Sequence, residues 1–282
     1  MRRGLAAATV LVAAAAVGCD GASGPDVVVE GTPPATPYRG PLDLPAREAD
    51  ASTAPALRTA SGAAGRALEC DGETYWGSGP DGWSKSDGGD SPEDGLRLFF
   101  DMFDPEVPRA GYRVERREAD RVLYSYDVGG RTKVAVVVAR DQRGRPGWGP
   151  ETSASCDPSE LPAGVTSGPG WPEIWTDTQG RRVPVSRITS SAGAEHCGWQ
   201  SAHFLTVGGR TYVRDPHGVF AQDSVLGGRY DSDTAMPADA HDTGYRLRAW
   251  RLWLTDDGDT AYVRTAQGVE AWPKERRGFA CD

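Results

Sequence analysis

The sequence predicts an α+β protein in two units: an N-terminal unit of one helix on an antiparallel meander, and a C-terminal β-rich unit of hairpins. Three observations predict it. One stretch, opened by Ser91-Pro92-Glu93-Asp94, spaces Leu96, Phe99, Phe100 and Phe103 by three and four residues, the repeat of a helix with one apolar face. Elsewhere apolar and polar residues alternate in short runs punctuated by Gly-Gly and Asp/Gly turns, the pattern of half-buried strands. Cys70 and Cys156 bracket the first half of the folded chain and Cys197 and Cys281 the second, with the Gly/Pro-rich run from Gly164 to Gly170 between them.

Residues 1–18 have the layout of a signal peptide. Arg2 and Arg3 form a positive start, Leu5 to Val17 is an Ala/Val/Leu run short for a bilayer span, and Ala16-Val17-Gly18 puts small residues before Cys19. This resembles the lipobox of bacterial lipoproteins, in which the cysteine thiol takes a diacylglyceryl group and the cysteine becomes the first mature residue. The third position before the cysteine, commonly Leu in that class, is Ala16. The resemblance implies lipidation at Cys19 and a place on the extracellular face of the cell membrane, since two acyl chains suffice for stable anchoring. Residues 19–65 then read as the lipidated cysteine and a disordered tether, because Ala, Pro, Ser, Thr and Gly dominate and large apolar side chains are few.

Charge and cysteines narrow the partners. The 282 residues carry 31 basic and 40 acidic side chains, a formal charge of -9 that becomes -11 when Arg2 and Arg3 leave with the signal. Such an acidic ectodomain argues against nucleic acid as a partner and leaves the N-terminal lipid as the route to the membrane. In an oxidising compartment the four remaining cysteines read as two disulfides, with three pairings possible. Cys70 with Cys156 and Cys197 with Cys281 is the expected set, because each bridge closes one half of the chain. No two cysteines stand at C-x-x-C spacing, so neither a zinc site nor thioredoxin-type chemistry is expected, and no metal or cofactor is assigned.

The elements follow in order. The first domain, residues 66–165, enters through Ala67-Leu68-Glu69-Cys70 and a Gly-rich loop carrying Tyr75, Trp76 and Trp83. Ser91 is the N-cap of the helix, and Pro92 sits where a missing N–H costs nothing. Strands are expected from Tyr112, over Val122 to Val128, over Thr132 to Ala139 after the Gly129-Gly130 turn, and from about Trp148 to Cys156. In the second domain, residues 171–282, three hairpins suggest a sheet or small barrel: Ile174-Trp175 with Arg182 to Val185, His203 to Val207 with Arg210 to Arg214, and Arg251 to Leu254 with Thr260 to Arg264. Tyr230 to Gly244 is polar with Met236-Pro237 inside it and reads as a long ordered loop.

Several of these segments, including Glu69-Cys70-Asp71-Gly72, Asp90-Ser91-Pro92-Glu93, Gly111-Tyr112-Arg113-Val114-Glu115, Cys156-Asp157-Pro158, Cys197-Gly198-Trp199-Gln200-Ser201 and Tyr212-Val213-Arg214-Asp215-Pro216, resemble a family of uncharacterised actinobacterial lipoproteins. The resemblance implies an address and brings no activity with it. The helix-then-meander order is also faintly similar to NTF2-like and cystatin-like folds, a fold-level analogy that carries no function.

Motifs for chemistry are sparse. There is no G-x-S-x-G elbow, phosphate loop, dinucleotide fingerprint or H-E-x-x-H. His196, His203, His217 and His241 are scattered, and nothing in the sequence selects one for a Ser-His-Asp triad. Asp231-Ser232-Asp233 and Asp256-Asp257-Gly258-Asp259 lack the spaced ligands of a calcium loop and read as solvated turns. Trp76 and Trp83, in a Gly-rich loop, are the candidate ligand-binding residues, set against the reading that most of the nine tryptophans fill small cores. The expected function is a lipid-anchored, non-enzymatic binding module whose partner is an envelope protein or wall polysaccharide. The alternative is a wall-polysaccharide-binding module or wall-active hydrolase.

Overall fold

The structure is a computed structural model and describes residues 26–44, 53–78, 87–102, 107–168, 170–220, 225–276 and 278. Cys19, Trp83, Phe103 and Cys281 lie outside the described residues.

Three antiparallel sheets dominate, with few helices. The first sheet contains β1 (Thr74–Ser78), β2 (Arg113–Arg117), β3 (Arg121–Val128), β4 (Arg131–Gln142) and β5 (Arg145–Cys156), in the order β1-β5-β4-β3-β2. The central strand β4 explains its layering. Val134, Val136 and Val138 face one side and Ala135 and Val137 the other, all fully buried, so both faces of the sheet must be covered.

One cover is the expected helix, Pro92–Met102, which lays Leu96, Phe99 and Phe100 against the three valines. Its start is a reciprocal cap: the Asp94 N–H donates to Ser91 Oγ at 3.1 Å, and the Ser91 N–H donates back to Asp94 Oδ2 at 3.1 Å. The β3–β4 turn is Gly129-Gly130 with φ 60° and 75°, the left-handed pair a two-residue hairpin requires.

The other cover corrects the tether. Over residues 26–44 and 53–65 the chain is part of the fold. Val28 pairs with Tyr112, the Tyr38 N–H donates to Glu115 at 2.5 Å, and Leu42 is fully buried. Two short helices follow, α1 (Ala54–Ala60) and α2 (Gly62–Ala67), which makes the Pro92–Met102 helix α3. Ala63, Ala64 and Ala67 pack with Leu42 on Leu123, Ala135, Val137 and Ala154. The composition misled because small residues were counted as too little surface; facing an alanine-bearing sheet, they permit close approach instead. Cys70 and Cys156 are bonded on this face with Cα atoms 5.4 Å apart, the pairing the sequence predicts. Trp76 is also corrected in place: it lies on edge strand β1, not in a loop.

The second half is a ring of strands. One sheet is β6 (Ile188–Ala192), β7 (His203–Val207) and β8 (Arg210–Arg214); the other is β9 (His241–Leu247), β10 (Trp250–Leu254), β11 (Thr260–Arg264) and β12 (Val269–Pro273), ordered β12-β11-β10-β9. Their inner faces share a core of Trp175, Ile188, Leu205, Tyr212, Leu252, Val263 and Trp272. On one side the sheets are joined by the Tyr212–Lys274 bridge. On the other, residues 173–176 stitch them together, Glu173 bridging Ser190 of β6 and Thr176 bridging Arg246 of β9. The second half is thus two antiparallel sheets around one core, linked at both edges by isolated bridges into a barrel-like ring. Strands β6, β9 and β12 were not anticipated, and the segment expected to loop as far as Gly244 already becomes β9 at His241.

Candidate functional site

The stitch at residues 173–176 places a polar group at the mouth of the ring. Glu173 Oε2 meets His203 Nε2 at 2.7 Å and accepts from Ser190 Oγ at 2.7 Å, while Trp175 Nε1 donates to Ser190 Oγ at 3.0 Å. His203 points inward because it shares the face of Leu205 and Val207 on β7, and its ring stands edge-on to Trp250 and Trp272 at 5.2 and 5.9 Å. Opposite His203 on β8, Arg214 makes a paired contact with Glu270 at 2.8 and 3.1 Å, and Trp272 Nε1 also donates to Glu270.

Burial acts to raise the Glu173 pKa, but the hydrogen bonds from His203 and Ser190 override it and hold the carboxyl below its usual range. The order of these groups decides the chemistry. In a catalytic triad the imidazole stands between the acid and the hydroxyl it deprotonates. Here the carboxylate stands between the hydroxyl and the imidazole, so Ser190 is a donor to Glu173 and is not activated as a nucleophile.

Two hollows adjoin this group. One, of about 410 Å³, runs from the junction of the two halves to the mouth and is lined by Trp171, Glu173, Arg182, Arg246 and Arg248 among others. The second, of about 190 Å³, lies between Glu173 and the β9–β10 turn. Arg182 is anchored, donating to the carbonyls of Leu161 and Pro158 and to Thr166 Oγ1, and burial lowers its pKa from the ordinary guanidinium value. Arg246 Nη2 donates to Asp242 at 3.2 Å, whereas its Nη1 is buried without a hydrogen-bond partner. Arg248 occupies the left-handed region at φ 54°, unusual for a residue other than glycine, and extends an 84% exposed side chain with Nη1 3.9 Å from Glu173. The cleft thus carries three guanidinium groups against one carboxylate that is already hydrogen-bonded. Its chemistry suits an anionic group, because Arg presents donors in a fork that matches carboxylate or phosphate.

The residues singled out from sequence are dispersed. Trp76 is half-buried and packs on Phe99 at 6.2 Å between ring centres, a core contact of the first sheet. Trp83, Cys19 and Cys281 fall outside the described residues; Cys197 is itself disulfide-bonded. Among the other histidines, His196 and His217 are exposed, and His241 is 3.9 Å from Asp256. In the acidic turns, Asp231 accepts from the Asp233 N–H, Asp257 accepts from Thr255 and from the Asp259 N–H, and Asp259 pairs with Lys274. Cys70, Cys156 and Glu160 cluster within 4.8 Å, but the sulfurs are bonded to each other and Glu160 is held by Lys133 at 2.6 Å. Sequence reasoning missed Glu173, Arg246, Arg248 and Trp250. A signal was present: Arg246-Leu247-Arg248-Ala249-Trp250-Arg251-Leu252-Trp253 packs three arginines and two tryptophans into one hairpin.

No protein-family model, curated protein or solved structure matches this chain.

Proposed function

We propose that this protein is a lipid-anchored extracytoplasmic component of a bacterial cell envelope, held by Cys19 on the outer face of the cytoplasmic membrane, and that it is a non-enzymatic module binding an anionic group of an envelope protein or wall component. The observation that carries the binding reading is the cleft at the barrel mouth, where Arg182, Arg246 and Arg248 face a single carboxylate. The Arg246 Nη1, buried without a hydrogen-bond partner, is unfavourable for the free protein, and an anion supplies what it lacks. The address rests on the signal-like residues 1–18 and Cys19, with the Cys70–Cys156 bridge as support, since such bridges persist in oxidising compartments. The carboxylate-centred order of Ser190, Glu173 and His203 supports binding over serine-directed hydrolysis.

The two parts are tested separately. Cys19→Ala should release the protein from membranes into the soluble extracytoplasmic fraction; full retention sinks the anchor. For binding, the ectodomain from Asp20 to Asp282 is presented to purified wall polysaccharide and to detergent-solubilised envelope proteins, beside Arg248→Asn. Asparagine tolerates the left-handed backbone and removes the charge. A saturable partner lost with Arg248→Asn is the expected result; equal capture by both proteins removes the cleft from the account.

A further inference from the structure

We propose that the outer face of the β9–β12 sheet is a second binding surface, for an anionic polysaccharide. Strand parity defines that face. Leu252 on β10 and Ala261 and Val263 on β11 point into the barrel, so Arg251, Trp253, Tyr262 and Arg264 point out. Register then builds two rows. Arg246, Arg251 and Arg264 are direct cross-strand partners on β9, β10 and β11, and Trp253 lies opposite Tyr262 in the next row. Adjacent strands are about 4.8 Å apart, so the backbones of the three arginines stand in line at roughly that spacing, Arg251 and Arg264 exposed and Arg246 half-buried, beside the Trp253 and Tyr262 pair.

This line works against the fold. Like charges directly opposite each other on neighbouring strands are destabilising, and here two such pairs are consecutive. Asp242 on the same face pairs with Arg246 and lies within electrostatic reach of Arg251 as well, and Asp231 sits beyond β12 opposite Ala271. Among the described residues neither Arg251 nor Arg264 has a carboxylate within salt-bridge distance, in a chain where acidic groups outnumber basic ones. Arg264 instead lies over the Trp253 ring, its guanidinium carbon 4.9 Å from the ring centre, and the residue is exposed.

The occupant follows from charge and shape together. Two adjacent exposed guanidiniums, Arg251 and Arg264, with the half-buried Arg246 beside them, suit a polymer with repeated anionic groups. Trp253 and Tyr262 are half-buried, and with Arg264 lying over the Trp253 ring, Tyr262 beside it is the aromatic surface left for a sugar ring. Arg246 also borders the cleft, so a chain seated there has a continuous path onto the sheet. The inference stands on the sheet face and does not require the cleft to bind; Arg248→Asn tests the one and the variants below test the other.

Affinity electrophoresis of the ectodomain through gels containing polygalacturonate reads the proposal directly, with fully methyl-esterified polygalacturonate as the uncharged counterpart and phosphatidylglycerol vesicles as a lipid arm. Retardation by the polyanion and none by the ester is expected. The double variant Arg251→Ala/Arg264→Ala, both exposed and so compatible with folding, should weaken binding about tenfold or more, since two charge-assisted contacts are lost. Tyr262→Ala, which leaves Arg251, Arg264 and the Trp253 ring in place, should weaken it independently. Retardation that is equal in the ester, or unchanged in the double arginine variant, overturns the proposal. So does binding to vesicles without binding to the polymer.

Discussion

Leu42→Ala measures whether the segment before the first helix belongs to the cooperative unit. Leu42 is fully buried, and its neighbours are Ala63, Ala64, Leu123, Ala135, Val137 and Ala154. Most of these are alanine or valine, which have few or no rotamers with which to fill a hole, and the strands beneath are fixed by ladders on both sides. Truncation of a buried leucine costs roughly 2 to 5 kcal/mol, the upper part of the range applying where the site cannot collapse. About 3 kcal/mol is expected here. The segment has further attachments that make it move with the sheet: Glu118 accepts from the Leu42 N–H at 3.3 Å, and Glu115, which accepts from Tyr38, has a side chain only 1% exposed. Urea unfolding of the ectodomain from Asp20, followed by tryptophan fluorescence, is the assay, with the exposed Val29→Ala as a control expected within about 0.5 kcal/mol. If Leu42→Ala also falls within about 0.5 kcal/mol of the parent, the segment is a tether after all and the packing argument is refuted.

Gly95→Ala in α3 should destabilise by about 1 to 3 kcal/mol even though alanine is the better helix former. The added Cβ would lie 2.3 Å from Val138 Cγ1 and 3.1 Å from the Gly149 nitrogen, and overpacking of that kind outweighs the roughly 1 kcal/mol of propensity; an unchanged urea midpoint would contradict it. Replacing Cys70 and Cys156 together by serine frees a loop closed over 86 residues, for which chain entropy gives about 4 to 5 kcal/mol and engineered cases usually less, so a loss of about 2 to 4 kcal/mol is expected in chemical denaturation. Acid should weaken the fold through Glu173. Its folded pKa is lowered from 4.5, so its contribution is complete above that value and is lost as pH falls through the folded pKa; Glu173→Gln should flatten the acid limb of a stability–pH curve. In alkali the sign reverses for Tyr230, whose pKa is raised from 10.0 to about 12 chiefly by burial. Stability present below pH 10 is lost as pH rises through 12, and Tyr230→Phe should reduce that drop.

What could be read from the sequence divides along physical lines. Elements specified by neighbours in the chain were legible: α3 from its spacing and cap, the β3–β4 and β7–β8 hairpins from Gly129-Gly130 and Gly208-Gly209, and β10 with β11 from their flanking turn. Elements specified by distant partners were not. Strand β1 holds its place by pairing with β5 across more than seventy residues, and β6 and β12 are short strands whose neighbours supply the ladder. The Ala-rich helices escaped for a related reason, since alanine records helix propensity but not the sheet that receives it.

The same division governs the site. Glu173 and His203 are thirty residues apart and meet only because residues 173–176 close the barrel, a contact with no local signal. The arginines of β9 and β10 were adjacent in sequence and visible as a cluster, yet their meaning depends on register. A slip of one residue would send Arg251 into the core and Leu252 to solvent. The burial of Leu252, Ala261 and Val263 fixes that register, and in doing so forces Arg246, Arg251 and Arg264 into one row. A fold selected for stability alone has cheaper solutions at these outward positions, such as threonine or an alternating acid and base. The hydrophobic face therefore dictates where the charges stand, while their shared sign points to something outside the fold.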